Sequence, residues 1–508
     1  MTDFGELPLR ADNRSTPCCV DTARLGQYIG SMTMPTAPLD AALIDRFTAI
    51  VGQSNALSQD EAGATYLTEP RDLFPGKSAL VLRPGSVDEV SAIVRLASET
   101  RTPIVPQGGN TGLVGGQQPR SEGEVLVNLS RLDQIREIDP VGRTITVDAG
   151  CVLQRVQEAA DEAGLFFPLS LGAQGSCQIG GNLSSNAGGT GVLAYGNSRD
   201  LCLGIEAVLP SGEIIHGLRR LKKDNRGYDL RNLLIGAEGT LGIITGAVLK
   251  LFPKPKGKEI AFVGLSSVEN ALKLLSIAEG HAGASLTAFE FLPLIGMRFT
   301  LKHTEGARDP MDAEYPWYVL VEISSQRSAE EAGATLEALL TEAFEAGLVE
   351  DAAIAQSEAQ AANFWRMREE MSWAQKPEGG SIKHDVSVPV ASVPEFLRRA
   401  DEAVLAAIPD ARIVAFGHLG DGNVHYNISQ PVGADKAAFL ARWHEIGAIV
   451  HGIVAEMEGS FSAEHGIGVL KAEELRRSKA GPEYEAMRAI KTSLDPFGIL
   501  NPGKLIQI

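Results

Sequence analysis

Gly175-Ser-Cys-Gln-Ile-Gly-Gly-Asn-Leu-Ser-Ser-Asn-Ala-Gly-Gly189 is the stretch on which the fold is decided. It is too long and too rich in small residues to be a hairpin turn. Backbone this bare lets several N–H groups approach one anion, as phosphate-binding nests do. A single loop of the kind carries little weight, because turns and bends account for most of them. Two more stand around it: Gln107-Gly-Gly-Asn-Thr-Gly112 follows a strand, and Ile235-Gly-Ala-Glu-Gly-Thr-Leu-Gly-Ile-Ile244 leads into one. Three small-residue loops on one α/β unit point to an extended ligand that meets backbone at many places. Gly189-Thr-Gly191-Val-Leu-Ala194 formally fits a dinucleotide fingerprint. It follows a polar stretch rather than a strand, so a nicotinamide site is rejected there.

Upstream, Ser78-Ala-Leu-Val-Leu-Arg-Pro84 reads as a strand. Ser86 with Glu89 three residues on is a capping box, opening a helix whose apolar face is Val90, Ile93, Val94 and Ala97. Thr102-Pro-Ile-Val-Pro106 completes a βαβ unit. Strands at 124–129, 133–139 and 143–149 and a helix near 151–163 lead to the second loop. Lys254-Pro-Lys-Gly-Lys258 is a charged linker and the expected domain boundary. Beyond it the order is strand 259–264, helix 267–279, strands 286–292 and 317–324, helix 328–346 and strand 352–357, a ferredoxin-like sequence of elements. A helix around 359–375 carries Arg368 and Ser372, four apart on one face. A strand at 381–388 carries Lys383, and helices at 392–407 and 434–457 flank a hairpin. Residues 1–36 mix charge, Pro and Ser-Thr without periodicity and read as a flexible tail, with Met32 or Met34 as alternative initiators. The expected organisation is a tail at 1–36, a first domain at 37–253, a second at 254–457 and a C-terminal segment at 458–508.

The chemistry concentrates in the hairpin, Phe416-Gly-His-Leu-Gly-Asp-Gly-Asn-Val-His425-Tyr-Asn427. Turn residues between two apolar runs bring His418 and His425 together, two imidazoles a metal could share. His425 and Asn427 point to one face. Ser462-Ala-Glu464-His465-Gly-Ile-Gly468 adds a carboxylate and an imidazole side by side, and two histidines with one glutamate form a known catalytic zinc set. Adjacent residues in extended backbone point opposite ways, so Glu464 is expected to face a metal and His465 a proton. His216, His281, His303, His384, His444 and His451 read as surface or packing histidines.

Composition narrows the classes. A chain of 508 residues, 44% hydrophobic and 22% charged, suits a multidomain globular protein. A formal charge of −18 argues against nucleic acid or an anionic membrane as partner. The five cysteines show neither metal spacing nor a disulfide framework, and no run reads as a membrane span or signal peptide, so a reducing cytoplasm is expected.

Six motifs in order carry a resemblance: Pro106-Gln-Gly-Gly-Asn-Thr-Gly112, Gly180-Gly-Asn182 with Asn186-Ala-Gly188, Gly236-Ala-Glu-Gly-Thr-Leu-Gly242, Gly417-His-Leu-Gly-Asp-Gly-Asn-Val-His425, Glu464-His-Gly-Ile-Gly468, and Asp495-Pro-Phe-Gly-Ile-Leu-Asn-Pro-Gly-Lys504. Over roughly residues 40 to 506 the chain resembles the flavoproteins that bind FAD in the manner of vanillyl-alcohol oxidase, in the branch of the D-2-hydroxyacid dehydrogenases, those acting on D-2-hydroxyglutarate nearest. The resemblance implies an α+β architecture: a vanillyl-alcohol oxidase-type FAD-binding domain of two α/β subdomains, a ferredoxin-like substrate domain, and a C-terminal helical segment returning to the flavin. It implies a non-covalent FAD, since the first loop offers neither histidine nor cysteine for a tether; Cys177 in the second loop reads as a packing residue. The residues implied to hold FAD are Pro106, Gln107, Gly108, Gly109, Asn110, Thr111 and Gly112, then Ser176, Gly180, Gly181, Asn182, Ser185, Asn186 and Gly188, then Glu238, Gly239, Gly242 and Ile243, and finally Asn501 and Lys504. The family places a divalent metal, often zinc, on the positions matching His418, His425 and Glu464, and its proposed base matches His465. Its carboxylate-binding trio matches Arg368, Ser372 and Lys383, with Asn427 beside the metal; hydroxyglutarate-specific members tend to have Thr where this chain has Ser372.

The implied reaction is oxidation of a D-2-hydroxydiacid, D-2-hydroxyglutarate or D-malate, by hydride transfer to flavin N5 while His465 takes the hydroxyl proton. An electron-transfer flavoprotein or a quinone is the implied acceptor, and a homodimer the expected assembly. A D-lactate or glycolate dehydrogenase is the alternative within the family. A metal-dependent hydrolase would have no use for three dinucleotide-shaped loops, and a non-catalytic flavin-binding protein would have none for Glu464-His465.

Overall fold

Period-two burial and helical capping, traced from the N-terminus, build three large sheets and one two-stranded ribbon, Leu165–Phe166 with Phe252–Pro253, in a computed structural model that describes residues 37–507. The expected tail at 1–36, with Cys18, Cys19 and both alternative initiators, lies outside those residues. The first sheet takes β1 (Ala56–Leu57), β2 (Leu80–Leu82), β3 (Ile104–Gln107) and β4 (Val125–Asn128) in the order β1-β2-β4-β3. β2, β4 and β3 run parallel, as the βαβ reading requires. The connecting helix Val87–Thr100 buries Val90, Ile93, Val94 and Ala97. Ser86 caps it by accepting from the Glu89 N–H at 3.2 Å, whereas the Glu89 carboxylate accepts from Gly85 rather than from the cap residue itself.

The second sheet is antiparallel: β5 (Ile135–Asp139), β6 (Thr144–Asp148), β7 (Cys202–Val208), β8 (Ile214–Gly217) and β9 (Ile243–Lys250), in the order β5-β6-β9-β7-β8. The second small-residue loop lies between β6 and β7 and winds into a short helix, Ile179–Ser184. The third loop runs straight into β9.

The third sheet holds β10 (Gly257–Leu265), β11 (Leu286–Pro293), β12 (Trp317–Ser325), β13 (Asp351–Ile354), β14 (Ser381–Ser387), β15 (Arg412–His418) and β16 (Asn423–Ser429). Its order is β13-β10-β12-β11-β15-β16-β14. The first four strands have the ferredoxin-like arrangement, and the hairpin β15–β16 extends it by pairing β15 with β11. Alternate side chains serve opposite faces. Ala261, Val263 and Leu265 pack with the helices Val268–Ala282 and Ala329–Glu345, while Ile260 and Phe262 pack against Phe364 and Met367. Fully burying a side chain such as Leu336 or Phe396 contributes about 1.5–3 kcal/mol, so the helical layer holds the sheet firmly.

Two expected helices are broken. The span 359–375 is a helix Glu358–Glu369 and a short turn Met371–Ala374, and at the break Met371 lies directly on Gly296, where an added Cβ would come within 2.5 Å of its sulfur. Arg368 and Ser372 therefore do not stack four apart on one continuous helix. The span 434–457 divides into Lys436–Ala441 and Trp443–Glu456 at Arg442.

Candidate active site

One cavity of about 990 Å³ joins all three loops to the hairpin. The loops form its wall by packing on one another without side chains. A Cβ on Gly109 would lie 2.0 Å from the Ser176 carbonyl oxygen, and one on Gly239, at φ +71°, would lie 2.4 Å from Pro106. Polar side chains of the first loop turn outward and anchor it: Gln107 Nε2 donates to the Tyr66 carbonyl at 2.9 Å, and Asn110 Nδ2 to that of Thr68 at 2.8 Å. Backbone is what remains for a ligand. Gln178 Oε1, Asn182 Nδ2 and Asn501 Oδ1 are buried on this wall without a hydrogen-bond partner. An unpaired buried polar atom costs about 1–3 kcal/mol, so a long polar ligand across the loops fits this set.

Of the expected cofactor residues, Pro106 to Gly112, Ser176, Gly180, Gly181, Asn182, Ser185, Gly188, Glu238, Gly239, Ile243 and Asn501 line the cavity. Three others, Asn186, Gly242 and Lys504, are not among the residues that line it. Asn186 accepts from the Arg199 N–H at 3.0 Å and fixes the start of a helix. Gly242 packs on Leu234 and the backbone of Val208. Lys504 is fully buried 3.8 Å from Glu124, where burial pulls its amine down to about 8.

Across the cavity, β14 and β16 present alternate residues. Lys383 and Asp385 pair with Asn427 and His425 respectively, and Lys383, His425 and Asn427 line the cavity. Tyr426 points the other way, to Asp401, and His384 to His451, which in turn meets Glu474; these two histidines pack the helical layer. His418 and His425 have ring centroids 5.6 Å apart, and His425 stacks on His465 at 5.8 Å. Asp385, His425, Glu464 and His465 bring ligand atoms within 4.8 Å of one another. That group differs from the expected trio: it includes Asp385 and His465 and omits His418, whose Nδ1 is held 2.7 Å from Glu290 Oε1.

Glu464 and His465 do not diverge as expected. Both backbone N–H groups donate to Asp385 Oδ2, at 3.0 and 2.8 Å, which bends the chain and turns the side chains together; His465 Nε2 lies 3.9 Å from Glu464 Oε1. The second and third small-residue loops secure this bend. The Gly189 N–H donates to Glu464 Oε2 at 3.0 Å, and the Glu238 carboxylate accepts from Ile467 and Gly468, both at 2.7 Å.

Electrostatics separates the histidines. Burial holds His465 down to about 4 against the opposing charge of Asp385. Burial also works against the His418 cation, but Glu290 outweighs it and lifts His418 to about 9. Burial pushes the Glu464 carboxyl up. The donor set fits a divalent metal. His418 Nδ1 is bound to Glu290, and His425 Nδ1 lies 3.7 Å from Asp385 while its Nε2 lies 3.5 Å from Glu464. A carboxylate behind each imidazole is the arrangement that orients metal-binding histidines.

Lys383 donates to the Ser372 carbonyl at 2.9 Å and to its hydroxyl at 3.2 Å, so these two residues come together. Arg368 is buried, donates through Nε to Glu290 at 2.7 Å and lies over the Phe416 ring. Sequence reasoning missed Glu290, Asp385 and Arg71. For the first, a lone acid inside the apolar run Leu286–Pro293 was an available signal.

A family model described as the C-terminal domain of FAD-linked oxidases matches residues 254–505, and one described as an FAD-binding domain matches 78–217. A mitochondrial D-2-hydroxyglutarate dehydrogenase of Arabidopsis thaliana is 39% identical over 469 residues, covering 92% of this chain and 82% of the relative. The chain belongs to the FAD-linked D-2-hydroxyacid dehydrogenase family. A D-2-hydroxyglutarate dehydrogenase of Xanthomonas citri pv. viticola is 39% identical as well, covering 89% of this dehydrogenase and 96% of its own length. p-Cresol methylhydroxylase, 15% identical, superposes with a TM-score of 0.73 over 93% of this chain and 98% of its own, which bears out the vanillyl-alcohol oxidase-type fold. Membership makes the protein an FAD-dependent dehydrogenase.

Proposed function

We propose that this dehydrogenase oxidises a D-2-hydroxydiacid, D-2-hydroxyglutarate or D-malate, to its 2-oxoacid, with His465 as the base and a divalent ion, zinc, on His418, His425 and Glu464. The observation that carries the reading is Lys383. It is a cation on the cavity wall that bonds to Ser372 and has no ion-pair partner among the described residues. A second carboxylate on the substrate supplies that partner.

FAD, when bound, accepts the hydride, and the divalent ion makes the 2-hydroxyl more acidic and fixes its orientation. His465 takes the hydroxyl proton at Nε2. Its Nδ1 lies 3.5 Å from Asp385 Oδ2, which stabilises the imidazolium so formed. Asp385 orients rather than ligates, since its oxygens already accept from Glu464, His465 and the Asn423 amide. Asn427 holds the hydroxyl end of the substrate, and Lys383 and Ser372 hold the far carboxylate. Arg368, its Nε bound to Glu290, adds positive charge to the same wall. An electron-transfer flavoprotein or quinone as acceptor, a homodimer and a cytoplasmic location belong to the same proposal. The family resemblance supports the acceptor, and Cys151, Cys177 and Cys202, all free and buried, support the reducing compartment.

Lys383→Ala tests the substrate class. The kcat/KM for D-2-hydroxyglutarate is expected to fall about tenfold to a hundredfold, as loss of a charge-assisted hydrogen bond implies. That for D-lactate, which has no second carboxylate, is expected to hold. Equal losses on both would put Lys383 on the shared carboxylate or in the fold.

A further inference from the structure

Arg71 lines the same cavity beside the first small-residue loop. It lies in the irregular segment between the helix Gln59–Leu67 and β2. Glu69 builds that segment: its buried carboxylate accepts from the backbone N–H groups of Arg71 at 2.7 Å and Phe74 at 3.2 Å, and from that of Leu73. The Glu69 carboxylate is thus hydrogen-bonded to backbone, while its charge still supports the Arg71 guanidinium. Arg71 itself makes one long side-chain hydrogen bond, Nη1 to the Leu113 carbonyl at 3.4 Å, and has no ion-pair partner among the described residues.

Its charge is nonetheless felt across the cavity. Burial, with the charge of Arg71 second, draws Lys383 down to about 8; burial also lowers Arg71, against the charges of Glu69 and then Asp385. Each Asp385 oxygen is already engaged, Oδ1 by the Asn423 amide and Oδ2 by the Glu464 and His465 N–H groups. Two cations thus line one cavity, neither in an ion pair among the described residues, an arrangement that a bound anion would stabilise.

We propose that Arg71 completes the anion subsite begun by Lys383 and Ser372, gripping the far carboxylate of the substrate from the flavin-loop side. The assignment rests on the diacid reading above. A guanidinium supplies the two-pronged donation that a lysine ammonium cannot, so Arg71 fixes the orientation of the carboxylate and Lys383 adds point charge. Selection between diacid and monoacid is then shared between the two residues.

The test is flavin-band titration of the FAD-loaded Arg71→Ala and Arg71→Lys variants with 2-oxoglutarate and with 2-oxobutyrate, a product-like monoacid. Arg71→Ala is expected to weaken 2-oxoglutarate binding about tenfold to a hundredfold. It should leave 2-oxobutyrate binding and flavin content essentially unchanged, and Arg71→Lys should recover part of the loss. If Arg71→Ala fails to retain flavin, Arg71→Gln carries the test with the same expected selectivity. An unmutated enzyme that prefers the diacid, with a variant that keeps that preference or loses both ligands equally, overturns the Arg71 assignment alone. An unmutated enzyme that binds both acids equally well contradicts the diacid reading and the assignment with it.

Discussion

Replacing His465 with Asn is expected to slow flavin reduction by about a hundredfold to ten-thousandfold, the range for loss of a positioned general base. Asparagine keeps a polar side chain on the bend but cannot take a proton. The His465 imidazole is placed for the role: Nδ1 faces Asp385 Oδ2 at 3.5 Å, Nε2 lies 3.9 Å from Glu464 Oε1, and the residue lines the cavity. The flavin loops touch the bend through Glu238 and Gly189, which bond to Ile467, Gly468 and Glu464 and not to His465. FAD content should therefore survive the substitution. Anaerobic stopped-flow mixing with D-2-hydroxyglutarate reads the step directly, and a variant reduced at the unmutated rate would remove His465 from the chemistry.

Chelation is expected to abolish turnover while FAD stays bound, because His418 and His425 lie on the third sheet and Glu464 touches a small-residue loop only through the Gly189 N–H. His425→Ala should lower bound metal and reduce kcat by at least about a hundredfold, the upper end for changes that only disturb a ligand's outer partners. His425 is the residue to change, since it alone meets both Asp385 and Glu464 from within the hairpin, at 3.7 and 3.5 Å. Metal analysis alongside the assay separates a lost ion from a misfolded protein. Full activity in a metal-free preparation would defeat the metal assignment.

Local signals were readable in the sequence because the physics behind them is local. Ser86 before an amphipathic run, small residues in series between strands, and a Gly-Asp-Gly turn between two apolar segments each determine structure within a few residues. The ferredoxin-like order followed from strand and helix periodicity alone. Partnerships made by the fold were not readable. Glu290 meets His418 across 128 residues of chain, and only the pairing of β11 with β15 brings them together. Asp385 lies two residues beyond Lys383 on the same face, yet its importance comes from the Glu464–His465 backbone, 79 and 80 residues away. Asn186, Gly242 and Lys504 fall within or beside the motifs but do not line the cavity, since motif membership does not tell a residue facing the cavity from one that holds the loop. The bend at Glu464 was misjudged because extended backbone was assumed where Asp385 gathers two consecutive N–H groups.

The most direct test of the proposed function is anaerobic bleaching of the bound flavin by a panel of D-2-hydroxyacids. The account predicts that D-2-hydroxyglutarate or D-malate reduces the flavin faster than D-lactate at equal concentration, with the yellow absorption lost in a single turnover. A flavin that stays oxidised with every member of the panel, or one that D-lactate reduces fastest, would contradict it.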